Sequence, residues 1–181
     1  MIALRNSPEK ILVPKGFSFA AVTAGIKASG KPDLALVNVP NGARAAALFT
    51  TNLIVAAPVQ VGRKNLLANR GRVDAVVVNA GNANCATGER GIRDCVKVCR
   101  EIGERLAVPT DQIFPSSTGM IGVKLPVQKI TASASALISS LSTTGQAARQ
   151  FARAIMTTDT RENRILANQV WLKDCDLVGN R

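Results

Sequence analysis

Three short segments of this chain have residue types and spacing that could do chemistry. The first is Phe114-Pro115-Ser116-Ser117-Thr118-Gly119-Met120-Ile121-Gly122. Hydroxyls, a glycine and backbone N–H groups converge there, just after an apolar run. A hydroxyl plus a backbone donor can hold a developing oxyanion. A glycine-containing connection with Ser and Thr capping the next element has the same composition. The second segment, Asn79 to Gly88, is rich in Gly, Asn and Thr. Backbone N–H groups at such a helix start can hold a carboxylate or another anion. A tight structural turn fits equally well. The segment lacks the Gly-Lys-Ser/Thr of a Walker loop and the glycine spacing of a dinucleotide fingerprint. The third, Met156-Thr157-Thr158-Asp159-Thr160, closes an apparent helix. Its hydroxyls and carboxylate can contact a polar substrate, or cap and turn the chain.

What is missing narrows the chemistry. The chain has no histidine, which removes imidazole acid–base catalysis, histidine triads and histidine metal sites within this chain; any catalysis must use other groups or borrow them from elsewhere. Cys95 and Cys99 form a CxxxC pair with no further clustered ligand, so they read as core thiols rather than a zinc site. Cys85 lies in the Gly/Asn segment with no local base to activate it. The remaining cysteine is Cys175.

The charge is strongly basic, with 23 Lys and Arg against 12 Asp and Glu and a net charge of +11. The basic residues are scattered, with no run of four, and aromatics make up only 3% of the chain. Nucleic-acid binding is therefore not expected. The charge either complements acidic substrates or an acidic partner chain, or is simply solvated surface. Met1 to Lys15 has no apolar core of a signal peptide. The longest apolar stretch, Ala45 to Val61, is interrupted by Thr50-Thr51-Asn52 and Pro58, so no membrane span is expected. These features point to a reduced cytoplasm.

The elements that must position these segments can be read from periodicity. Phe17 to Ile26 and Asp33 to Val39 are predicted strands joined by Ser29-Gly30-Lys31-Pro32. Asn41-Gly42 predicts a hairpin into a strand at Arg44 to Thr50. Pro58 opens a helix to about Asn69. Val73 to Val78 is a short apolar strand running into the Gly/Asn segment. Gly88 to Ala107 is the clearest helix, with Ile92, Cys95, Val96, Cys99, Ile102 and Leu106 on one face. Gln112 to Ser116 is a strand leading into Ser117. Helices follow at Pro126 to Leu141 and at Gln146 to Met156, with a hinge at Ser142 to Gly145. Asn163 to Leu172 alternates as a strand, and Asp174 to Asn180 reads as a turn. The expected fold is one α/β (α+β) domain over residues 1–181, with a mixed, largely antiparallel sheet packed with helices. A strand and turn so near Arg181, with no returning strand, suggests a truncation or a missing partner.

Four segments, taken together and in order, resemble the ornithine acetyltransferases, also called glutamate N-acetyltransferases. They are Gly16-Phe17-Ser18-Phe19 through Ala35, Val78-Asn79-Ala80-Gly81-Asn82-Ala83-Asn84 with Thr87-Gly88, Ser117 through Gly122, and Ala154-Ile155-Met156-Thr157-Thr158-Asp159. The resemblance covers about residues 10 to 161 and is carried by the order of all four. It implies half of an α/β/β/α-layered enzyme of the N-terminal-nucleophile kind, cut from a precursor before a threonine. It implies a ping-pong transfer of acetyl from N-acetylornithine to glutamate, without a resident cofactor. Some members also use acetyl-CoA as a co-substrate. It assigns the oxyanion role to the Thr118 hydroxyl and the Gly119 backbone N–H, and substrate contact to Thr157. No Ala-Thr-Met-Leu segment occurs before Arg181. Either the chain is the alpha part of a processed enzyme, with the nucleophile on a partner beta chain beginning with Thr in a two-alpha, two-beta assembly, or the product is genuinely short and is expected to be inactive alone. Two other readings stand beside this one: half of a related N-terminal-nucleophile hydrolase or aminopeptidase, and a non-catalytic basic binding module.

Overall fold

The computed structural model describes residue 11 and residues 13–159. The expected strand at 163–172, the following turn and Cys175 lie outside the described residues.

Four strands form one sheet in the order β1 (Ser18–Val22), β2 (Leu34–Arg44), β3 (Arg72–Asn82) and β4 (Ile113–Met120). β1 pairs with β2 and β2 with β3, both antiparallel, whereas β3 and β4 are parallel. The sheet is thus mixed and largely antiparallel, as the strand patterns predict. Helix α2 (Gly88–Leu106) makes the crossover between the parallel pair, which a parallel connection requires.

The alternation of β2 assigns the two faces. Leu34 and Leu36 join Ala75 and Val77 in a core with Cys99 and Ile102 of α2, and with Ile130 and Leu137 of α3 (Val127–Ser139). Ala35 points the other way, into a smaller cluster with Val78 and with Ala154 of α4 (Gly145–Ala154). Helix α1 (Ala57–Ala68) carries Pro58 in its first turn and lies over β4, where Gly62 faces the Phe114 ring closely enough that a Cβ would sit 2.8 Å from it. The Thr144 hydroxyl caps α4 by accepting from the Ala147 N–H at 3.2 Å, satisfying a donor that the helix leaves open.

Several expectations are corrected. β1 is shorter than Phe17–Ile26, because residues 24 to 27 wrap around a buried carboxylate instead of continuing the ladder. Asp33 accepts from the N–H groups of Ala24 at 2.6 Å, Ile26 at 2.5 Å and Lys27 at 2.8 Å. Asn41-Gly42 makes no hairpin. β2 continues to Arg44 through a register shift between Asn38 and Ala43. Its two edges are already taken by β1 and β3, so a returning strand would have nowhere to pair. Residues 45 to 50 consequently join no ladder and are mostly exposed. On α2, Val96 is 43% exposed and Val98 takes the buried position beside Cys95 and Cys99. The helix ends at Ala107 in the left-handed conformation, φ 56°. Helix α4 stops at Ala154, two residues before Met156.

Candidate functional site

The two Gly-rich segments turn out to be one structure. Both extend a strand, and the strands pair in parallel: Asn79 with Ser117, Ala80 with Thr118, Gly81 with Gly119 and Asn82 with Met120. From sequence alone these residues read as loops. Glycine and asparagine have poor strand propensity, and only a distant partner in register reveals the pairing. Gly81 (φ +106°) and Gly119 (φ +134°) both occupy the positive-φ region. A Cβ on Gly119 would sit 2.5 Å from the Asn82 nitrogen and 2.7 Å from the Gly81 Cα. Only glycine permits that approach.

The asparagines of the second segment, Asn79 to Gly88, point inward. Asn79, Asn82 and Asn84 are 6%, 3% and 0% exposed. The Ser117 hydroxyl donates to Asn79 Oδ1 at 2.6 Å, and Asn79 Nδ2 donates to the Asn82 carbonyl at 2.8 Å. Asn82 Nδ2 donates to the carbonyls of Val123 and Lys124, both at 3.1 Å. Its Oδ1 accepts from the Asn84 N–H at 2.8 Å. Asn84 donates to the Gly91 carbonyl at 2.9 Å and accepts from the Thr87 hydroxyl at 2.9 Å. The side chains of this segment thus serve as internal struts. Thr87 makes no side-chain cap to α2. Backbone bonds from Ala83 N–H to the Met120 carbonyl and from Gly122 N–H to the Cys85 carbonyl, each 2.9 Å, close the turn against the first segment.

Beyond these struts the turn opens to solvent. Thr118 is half-buried and Gly119 is exposed. Met120 and Ile121 are 63% and 66% exposed, an unusual setting for apolar side chains next to a polar turn.

Thr157 lies just past the end of α4 and is exposed. Its N–H donates to Asp159 Oδ2 at 3.4 Å. The link between this end and the strand-end turn is Lys27, which lies in the first family-like motif. Its side chain lies against Gly81, and its ammonium donates to the Ala154 carbonyl at 2.8 Å and to the Pro32 carbonyl at 3.0 Å. Burial lowers the Lys27 pKa, Asp33 opposes that shift and Lys31 adds to it. No spacing rule could have found Lys27, because its contact in α4 is 127 residues away.

The cysteines behave as core residues. Cys95 is buried and hydrogen-bonded to Cys99, which together with burial holds its thiol far above the ordinary range. Cys85 is partly exposed. Among the described residues no group of three or more His, Cys, Asp or Glu is placed to hold a metal ion. No helix among them is long and apolar enough to cross a membrane.

Fold and site define a mixed α/β protein whose parallel strand end presents a hydroxyl–glycine turn with the composition of an oxyanion site. Residues 18–180 match the profile of the ArgJ family, and the chain belongs to that family. It is 45% identical over 149 residues to the arginine biosynthesis bifunctional protein ArgJ of Gloeobacter violaceus, covering 82% of this chain and 36% of that protein. The mitochondrial ArgJ of Penicillium rubens is 44% identical over 159 residues, covering 86% of this chain and 33% of that one. The chain therefore spans about a third of the length of these curated relatives. Among solved structures, ornithine acetyltransferase of Mycobacterium tuberculosis complexed with ornithine is similar at 37% identity and a TM-score of 0.77, covering 82% of this chain and 79% of that one. The ArgJ protein of Bacillus halodurans is similar at 35% identity and a TM-score of 0.76, covering 81% of this chain and 75% of that one.

Proposed function

We propose that this chain is the oxyanion-bearing alpha portion of an acetyltransferase that moves acetyl from N-acetylornithine to glutamate. The observation that carries the reading is the Gly81–Gly119 pairing, which places Thr118 and Gly119 near the ends of two parallel strands in a chain of the ArgJ family. Similarity to an ornithine acetyltransferase with ornithine bound supports the substrate class.

In this reading, which follows the resemblance to the ornithine acetyltransferases, the nucleophile is the N-terminal threonine of a beta chain. That threonine attacks the acetyl carbonyl of N-acetylornithine. The carbonyl oxygen becomes negative in the tetrahedral intermediate and receives hydrogen bonds from the Thr118 hydroxyl and the Gly119 N–H. The intermediate collapses, ornithine leaves as the amine and the acetyl group stays on the threonine as an ester. The α-amine of glutamate then attacks that ester through the same site, giving N-acetylglutamate and the free enzyme. Thr157 contacts the substrate. The attacking threonine must approach Thr118 and Gly119, so its chain would cover the neighbouring Met120 and Ile121. The basic charge suits glutamate and the substrate carboxylates. The cycle needs no resident cofactor, and acetyl-CoA enters only as an alternative acetyl donor. A two-alpha, two-beta assembly in the cytoplasm completes the proposal.

The test is acetyl transfer by this chain together with the nucleophile-bearing chain, followed as N-acetylglutamate formed from N-acetylornithine. Thr118→Ala should lower kcat by ~10²–10³-fold, the usual loss of one oxyanion donor. Release of free acetate or amines from amides, without transfer to glutamate, would instead identify a hydrolase. Full activity in Thr118→Ala would remove the oxyanion assignment.

A further inference from the structure

Gly119 has no side chain to anchor it, and the two residues after it are exposed. Yet a hydrogen bond to an oxyanion works only if its donor sits within a few tenths of an ångström of the right place. Something must hold the turn. A continuous chain of hydrogen bonds does so from both sides. It begins at the Ser117 hydroxyl, directly before Thr118, and passes to Asn79 Oδ1 at 2.6 Å. Asn79 Nδ2 carries it to the Asn82 carbonyl at 2.8 Å, and Asn82 Nδ2 carries it to the carbonyls of Val123 and Lys124 beyond the turn. Asn79 is nearly fully buried, and its side chain joins Ser117 on the neighbouring strand to Asn82 at the end of its own. Removing either end leaves a buried amide group unsatisfied, which drives the local backbone to rearrange.

We propose that Asn79, acting through the Ser117 hydroxyl, is a positioning residue that fixes Thr118 and Gly119 in the geometry needed to receive the oxyanion. The proposal rests on the oxyanion assignment made above. Neither residue touches the reacting atoms; each sets the direction of the two that do. Because Asn79 and Ser117 act through one shared bond, losing either should cost about as much as losing both.

The test uses the assembled two-chain enzyme and four variants: Asn79→Ala, Ser117→Ala, the double variant and Ser117→Thr. Thermal stability is measured in parallel, and kinetics are run well below the lowest Tm. Each single variant should lose tenfold or more in kcat, with the KM for N-acetylornithine within twofold of wild type. The double variant should be no worse than the poorer single, and Ser117→Thr, which keeps the hydroxyl, should recover most of the activity. A lower Tm with unchanged kcat would reduce the pair to a structural strut and overturn the proposal. Losses that multiply in the double variant would overturn it too. If Asn79→Ala does not fold, Ser117→Ala against Ser117→Thr decides the same question. Thr118→Ala, run alongside, separates the two claims. If it is impaired while Asn79→Ala and Ser117→Ala are not, only the positioning role fails; if it is fully active, the oxyanion assignment fails first.

Discussion

At the scale of single residues, the site depends on what glycine alone allows. Gly119 combines a φ of +134° with a backbone approach that leaves no room for a Cβ. Gly30 also has positive φ, +68°, but nothing lies within 4 Å of where its Cβ would be. Backbone strain of about 1–3 kcal/mol applies to alanine at either position. Collision with Gly81 and Asn82 applies only at Gly119. Gly119→Ala should therefore destabilise the chain clearly more than Gly30→Ala, as read by urea unfolding of the two variants. Equal losses would mean that φ, and not the contact between the two strand ends, demands the glycine. Ser117 and Thr118 were legible in the sequence as hydroxyls beside a glycine. Asn79 was legible only as part of a turn, because its burial depends on a strand almost forty residues away.

At the scale of elements, the segment carrying Thr157 has no strand to fix it and relies on where α4 ends. Lys27 supplies that fixed point by donating to the Ala154 carbonyl, a good partner for a cation at a helix C-terminus. The same burial lowers its pKa. Between that lowered value and the ordinary 10.5, the folded chain binds fewer protons at Lys27 than the unfolded chain does. The contribution of this group to stability therefore rises with pH across that window and is smallest below it. Asp33, its nearest acidic neighbour, opposes the effect, and Lys31 adds to it. The difference in unfolding free energy between wild type and Lys27→Met should accordingly shift toward wild type as pH rises from neutrality to 10.5. A difference that stays flat over that range would contradict the burial of the ammonium. The helices themselves were largely readable. Apolar residues at steps of three and four mark α2 and α3 whatever lies opposite them. Val96 and Val98 are the exception, because both fit the stripe and only the packing of α2 against α1 and α3 decides between them.

At the scale of the whole molecule, two properties compete. Leu48 and Leu53 are 103% and 98% exposed, and Met120 and Ile121 add apolar surface beside the site. Such surface favours association. A net charge of +11 opposes it through self-repulsion. At low salt the repulsion should keep the isolated chain dispersed. At high salt the screening length falls to ~3 Å at 1 M, and the apolar surface should win. Sedimentation of the isolated chain should show self-association rising with salt, together with binding of a dye specific for exposed apolar surface. A monomer at every salt concentration, with no dye signal, would show that these side chains are covered within the chain itself.

The sequence by itself determined the helices, the apolar strands, the lack of histidine in this chain and the order of four motifs. These are local patterns or plain composition, and they survive without knowledge of neighbours. The tertiary structure decided which strands pair. It cancelled the Asn41-Gly42 hairpin because both edges of β2 were taken. It joined two apparent loops into one parallel strand end, buried the asparagines and brought Lys27 to α4. Strand register is fixed by a partner's pattern rather than by a strand's own, so Gly- and Asn-rich residues that look like turns in isolation became ladder and strut once their partner was present.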